Sequence, residues 1–215
     1  MDATSLWAES TTTASACLAH PFLTGIANGS LDRAAFEHYV GQDAFFLDAF
    51  AKAYALGIAR SPDAPTMRRF KTLLDGAMDE QALHGAYAER WGVDLHPRPT
   101  AATRAYTDFL LATAALEPLH LLAAAMTPCM RLYAWLGQQM REDTDPDSAY
   151  REWVETYSSD DFEQLATAMD DLLDDLVTLE APVDEGRLRQ TYTTAMELEW
   201  AFFDSAHRSG AALPG

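Results

Sequence analysis

Apolar residues along the chain recur at steps of three and four, and strict alternation in twos is nearly absent, a pattern that predicts helices throughout. The central stripe is Leu122, Met126, Cys129, Tyr133, Leu136 and Met140, in a helix expected to start after Glu117-Pro118 and run to about Glu142. Pro128 has no N–H for the carbonyl four residues back, so a bend is expected beside Cys129. Upstream, Ser30 or Asp32 is placed to cap a long helix ending by Ser61-Pro62, with the stripe Phe36, Val40, Asp43, Leu47, Phe50, Tyr54. Asp63 and Pro65 open the next, which reads through Phe70, Leu73, Ala77, His84 and Trp91 and stops at Gly92. A first helix is expected from Ser5 to His20, ending before Pro21. After a proline-bearing loop over 93–99, Thr100 caps a helix with Ala102, Tyr106, Phe109 and Thr113 on one face. A turn at 143–147 leads to a short helix with Tyr150, Trp153 and Tyr157, and Ser158 or Ser159 caps the one after it. Following Pro182, the last helix carries Tyr192, Met196, Glu199, Phe203 and Ala206. No repeat, convincing strand or glycine-rich phosphate loop appears, so residues 1–215 are expected to form one all-α domain of about seven or eight helices.

Composition narrows the function classes. A chain of 215 residues with 48% hydrophobic content can bury a substantial core and is not expected to be disordered. Its net charge of −18 argues against nucleic acid or an anionic membrane surface as partner. No apolar run approaches a membrane span, and no basic-then-apolar leader opens the chain. Cys17 and Cys129 fall on separate helices, which suits free thiols in a reducing compartment and hence a cytoplasmic location. The acidic run within Met169–Leu176 reads as a solvated face.

Three stripes are each interrupted by one reactive group: Asp43, Cys129 and Glu199. A carboxylate on a core face is costly unless it is hydrogen-bonded or lines a wet cavity. A bonded core Asp and a buried core thiol would explain the first two separately, but three interruptions on three helices suggest a shared pocket. Phe46, Tyr106, Tyr133 and Tyr157 are the candidate aromatic walls and hydroxyl donors. A thiol can attack and a carboxylate can move protons. Two nearby carboxylates raise a thiol's pKa, so a neutral thiol that passes its proton to a carboxylate during attack is expected rather than a standing thiolate. No histidine is spaced to pair with Cys129, and Cys17 has no partner pattern of its own. Glu80 and His84, one turn apart, suit either a hydrogen-bonded pair or two metal ligands.

The ordered set His20-Pro-Phe22, Tyr39-Val-Gly-Gln-Asp-Ala-Phe-Phe-Leu47, Glu80-Gln-Ala-Leu-His84, Thr127-Pro-Cys129 with Tyr133, Trp153-Val-Glu-Thr-Tyr157 and Leu198-Glu-Trp-Ala-Phe-Phe203 resembles the TenA/thiaminase II family over nearly the whole chain. The resemblance implies a heme-oxygenase-like helical bundle without heme or other cofactor, assembled as a homotetramer. It implies hydrolysis of 4-amino-5-aminomethyl-2-methylpyrimidine to the hydroxymethyl product used in thiamin salvage, with thiamin cleavage as the family's other activity. Position by position, Cys129 matches the nucleophile of the cysteine-bearing subgroup, and Glu199 the acid that serves the leaving group and a ring nitrogen. Asp43 matches the carboxylate on the amino-pyrimidine edge; Tyr106, Tyr133 and Tyr157 match pocket tyrosines. Two positions depart from the pattern: Phe46 stands where many members have tyrosine, and Ala44 where an aromatic is common. Both flank Asp43, so they bear on substrate choice more than on the chemistry.

Two other classes of function remain open on sequence. One is a non-heme iron oxidase on the same fold, with Glu80/His84 and Asp204/His207 as ligand pairs, although the middle of the central helix offers Cys129 and Tyr133 and no carboxylate or imidazole to complete the set. The other is a non-catalytic small-molecule binder or regulator, which would leave the thiol without a task.

Overall fold

Side-chain caps set most of the helix starts in the computed structural model, which describes residues 1–211, the side chains of residues 82–84, 86, 87, 89, 210 and 211 excepted. Asp2 accepts from Ser5 N at the start of α1 (Ala3–Leu18), Asp32 from Ala34 N for α3 (Arg33–Arg60), and Asp63 from Thr66 N for α4 (Ala64–Trp91). Thr100 caps α5 (Ala101–Leu116) and Ser159 caps α8 (Asp160–Leu179). Each such cap stabilises its helix by about 1 kcal/mol. The remaining elements are α2 (Pro21–Ala27), α6 (Leu119–Met140), α7 (Arg151–Tyr157) and α9 (Glu185–Ala211).

The described residues thus form nine helices where the periodicity suggests seven or eight. The additional one is α2. His20 leaves the helical region at φ −66°, ψ 138°, and its Nδ1 accepts from Phe22 N, so it ends the first helix and caps a second. Pro21 then sits in the first turn, where its missing N–H costs nothing and its fixed φ favours helix. A second correction concerns α5. Its buried face runs through Thr103, Tyr106, Thr107, Leu110, Thr113 and Ala114, while Ala102 and Phe109 lie only half-buried beside it. Threonines can occupy that face because their hydroxyls are bonded: Thr103 Oγ1 donates to Gln42 Oε1 at 2.5 Å, and Thr113 to Phe109 O at 2.8 Å.

Helix α6 is the axis of the bundle. It packs on α8, α9 and α7, while α3 packs on α4, α5 and α9. From Leu119 to Pro128 every residue of α6 is buried, as expected for a helix that is apolar nearly all round. At Gly137 a Cβ would lie 2.5 Å from Ser158 N and from the Tyr157 carbonyl carbon. The missing side chain lets the end of α7 press on α6, and that contact seats Tyr157 beside the core. The acidic run of α8 is only partly a solvated face: Asp170 pairs with Arg131, and Asp174 Oδ1 accepts from Ala3 N at 2.7 Å. Among the described residues no helix is long and apolar enough to cross a membrane.

Candidate active site

Asp43 on α3, Cys129 on α6 and Glu199 on α9 converge in the interior. Asp43 is 4% exposed and Glu199 2%, whereas Cys129 keeps accessible surface in the middle of a helix whose neighbouring residues are buried. Glu199 lies close enough to Cys129 to act on its thiol, and Tyr106 Oη donates to Glu199 Oε1 at 2.6 Å. Aromatic rings build the walls. Phe46 lies 4.7 Å from Tyr106 and 6.0 Å from Phe202, and Tyr133 lies 4.8 Å from Tyr157 and 5.6 Å from Phe203, all as ring centroids. Phe46 and the three tyrosines named from the sequence thus stand with or around Asp43, Cys129 and Glu199. Ala44, half-buried, follows Asp43 on α3.

Two members were not singled out as site residues from the sequence. Tyr39, fully buried one turn before Asp43, accepts from Trp153 Nε1 at 3.3 Å and donates to the Tyr133 hydroxyl at 3.3 Å. A tyrosine at i−4 from a buried carboxylate is the signal that pointed to it. Glu80, considered from sequence only as a partner of His84, is instead bound by Tyr157, whose Oη donates to Glu80 Oε1 at 2.6 Å. Periodicity alone gives no hint of that contact, because Glu80 and Tyr157 are 77 residues apart in sequence.

The electrostatics are unusual. Burial pushes Glu199 up to about 8, with the charge of Glu80 adding to the rise and the bonds from Tyr106 and Cys129 opposing it. Glu80 is pushed up to about 7 by burial against the bond from Tyr157. Asp43 is raised well above the ordinary carboxylate range by burial, then by Glu80 and Glu199. The Cys129 thiol is raised by burial first and then by Glu199, Glu80 and Asp43 in turn. No basic side chain is among these influences. The site thus favours a neutral thiol beside carboxyls that carry protons near neutral pH, as their proximity in the stripes suggested. Cys17, fully buried in α1, is pushed up to about 12 by burial, with a smaller rise from the charge of Glu199.

Among the described residues, no group of three or more His, Cys, Asp or Glu is placed to hold a metal ion. Asp204 and His207 gather around His20, with His20 Nε2 3.7 Å from Asp204 Oδ1 and the two imidazole rings 5.8 Å apart. The His84 side chain, the other proposed ligand, lies outside the described residues.

The profile of the TENA/THI-4/PQQC family matches residues 6–209. An aminopyrimidine aminohydrolase of Halalkalibacterium halodurans is 33% identical over 195 residues, which span 87% of each chain. One from Helicobacter pylori is 28% identical over 215 residues, covering 97% of this chain and 96% of the other. Among solved structures, a TenA family transcription regulator from Silicibacter sp. TM1040 superposes with a TM-score of 0.87 at 30% identity, over 94% of this chain and 95% of that one.

Proposed function

The chain belongs to the TENA/THI-4/PQQC family, and from that premise we propose that it is a hydrolase of thiamin salvage, an aminopyrimidine aminohydrolase. The observation that carries this reading is the convergence of the partly exposed Cys129 with the buried Asp43 and Glu199 from three helices, Glu199 being held by Tyr106 and pushed by burial up to about 8. The substrate is 4-amino-5-aminomethyl-2-methylpyrimidine, held between Phe46, Tyr133 and Tyr157 with its amino edge on Asp43.

In this mechanism Cys129 Sγ adds to the electron-poor ring while Glu199 gives its proton to the amine on the 5-methylene. The C–N bond breaks with its electron pair leaving on nitrogen, and ammonia departs. The thiol proton replaces the one Glu199 has lost. Water then adds to the exocyclic methylene and the C–S bond breaks, its electron pair returning to sulfur. Glu199 returns a proton to the thiolate and takes one from the water. Tyr106 fixes the Glu199 carboxyl throughout by donating to Oε1. Thiamin cleavage follows the same path with a thiazole in place of ammonia.

Incubation with the aminopyrimidine and with thiamin, followed by product chromatography, tests the proposal. The expected products are the hydroxymethylpyrimidine in both cases, with ammonia or the thiazole. Release of neither overturns it. Binding of the pyrimidine that survives Cys129→Ala, without hydrolysis by wild type, favours the non-catalytic binder. A stoichiometric iron content favours the oxidase. The regulator description of the Silicibacter neighbour does not carry over to DNA binding, because a net charge of −18 repels phosphate. A homotetramer is the proposed assembly, tested by light scattering.

A further inference from the structure

Glu80 has no task in the mechanism above, yet it both holds the Tyr157 hydroxyl and lines a groove between helices. Its carboxyl takes the Tyr157 hydroxyl at 2.6 Å on the inner side. On the outer side it borders a groove of about 360 Å3 between α4 and α7–α8, lined also by Met130, Thr156 and Phe162. Tyr157 itself is locked in place. Its ring packs at 4.8 Å on Tyr133, 4.7 Å on Trp153 and 4.9 Å on Phe162, so the phenol cannot swing to another acceptor. A phenol has one proton and two lone pairs. With the proton committed to Glu80, the oxygen has only lone pairs to offer anything else.

We propose that Glu80 is a positioning residue for substrate recognition, acting through Tyr157: by holding the phenol proton away from the pocket it makes Tyr157 an acceptor only. The inference rests on the pyrimidine reading of the pocket and adds the chemical class that the wall selects. Tyr157 then presents only lone pairs, which the N–H donors of a 4-amino group satisfy. A 4-oxo group at that position would face them with lone pairs of its own. In the low-dielectric interior an unpaired polar contact of that kind is disfavoured. Discrimination between 4-amino and 4-oxo rings is therefore set partly by a residue that does not touch the substrate.

The test measures calorimetric binding of 4-amino-5-hydroxymethyl-2-methylpyrimidine and of its 4-oxo counterpart to the intact protein, beside turnover of the aminopyrimidine. Glu80→Leu keeps bulk but removes the acceptor. It is expected to weaken the amino ligand about tenfold, to narrow the amino-to-oxo ratio, and to raise KM more than it lowers kcat. Tyr157→Phe should lose a similar amount, and the double variant no more than either single one. Glu80→Gln keeps an acceptor for the phenol and should recover affinity to within about threefold of wild type. Glu80→Ser replaces Glu80→Leu should the latter fail to fold. Unchanged affinity and ratio in a folded Glu80→Leu protein, or additive losses in the double variant, overturn the positioning role. If wild type binds the amino ligand but hydrolyses neither substrate, the hydrolase reading falls and the binding arms still decide on Glu80. If wild type binds neither ligand, both proposals fall.

Discussion

Two faces of α6 handle buried acid in opposite ways. Arg131, its side chain 16% exposed, points at α8 and pairs with Glu163 at 2.7 Å and Asp170 at 2.6 Å. Two residues earlier, Cys129 points toward α9 and meets Glu199, with Glu80 and Asp43 close enough to act on its thiol and no basic side chain among those influences. On the outer face a cation compensates the carboxylates in part: burial still holds Asp170 up at about 6 against Arg131. Burial raises Glu163, but the bonds and charge of Arg131 outweigh it and leave the group below its usual range. On the inner face burial dominates: it pushes Glu80 up to about 7, Glu199 up to about 8 and Asp43 well above its ordinary range. A compensated acid holds two helices together, whereas a protonated one can give its proton away. The same helix thus serves structure on one side and chemistry on the other.

The largest expected effect breaks the inner face at its centre. Cys129→Ser should lower turnover at least about 10³-fold, since removal of a nucleophile is among the costliest single changes in an enzyme. Pyrimidine affinity should stay near wild type because the walls and Asp43 remain. Single-turnover kinetics with a binding isotherm checks both, and near-normal turnover would end the cysteine mechanism.

Glu199→Gln separates proton transfer from shape. The amide keeps the acceptor for Tyr106 but has no proton to deliver, so amine release should slow about 10²–10⁴-fold. Thiamin, whose thiazole departs without protonation, should lose less. In wild type, turnover of the aminopyrimidine should fall as pH rises through about 8, where Glu199 ionises. Glu199→Gln should lack that limb. Equal losses for the two substrates would remove the leaving-group role assigned to this residue.

The outer face gives the contrasting result. Arg131→Met leaves Glu163 and Asp170 without their cation and should cost about 1–3 kcal/mol of stability, less than for a fully enclosed pair because Glu163 is partly solvated. Thermal unfolding measures it, and kcat should stay within about twofold of wild type. A large loss of kcat at unchanged stability would mean that the two faces are not separate.

A smaller effect concerns pH and stability. Glu199 and Glu80 have folded pKa values above the ordinary 4.5, so the fold favours their neutral forms. The stability this contributes is fully present below about 4.5 and is lost as pH rises through 7 to 8. Glu199→Gln removes one such loss. Its Tm relative to wild type should be higher at pH 9 than at pH 5 by about 4–8 °C, equivalent to about 2 kcal/mol in a chain of this size. A Tm difference independent of pH would show that Glu199 is already ionised at pH 5.

Much of this arrangement was legible in the chain itself. The three-and-four spacing determines the all-α class, because only a helix puts residues such as Phe36, Val40, Asp43 and Leu47 on one side. Each reactive interruption of a stripe lies in the interior, since a helix whose other members are apolar carries the odd member inward with them. Caps such as Asp32, Asp63 and Thr100 mark their helix starts through local hydrogen bonds, which depend on residues two or three positions away. Tertiary structure decided what spacing along one helix cannot encode. It chose which neighbour each interruption meets, placing Glu199 on Cys129 and Tyr106, Glu80 on Tyr157, and Arg131 on the acids of α8. It also turned α5 so that Thr103 faces Gln42, a register that apolar periodicity could not predict because three of the inward residues are threonines. Such pairings arise from how the helices cross, and a crossing is set by the packing of whole surfaces that lie far apart in sequence.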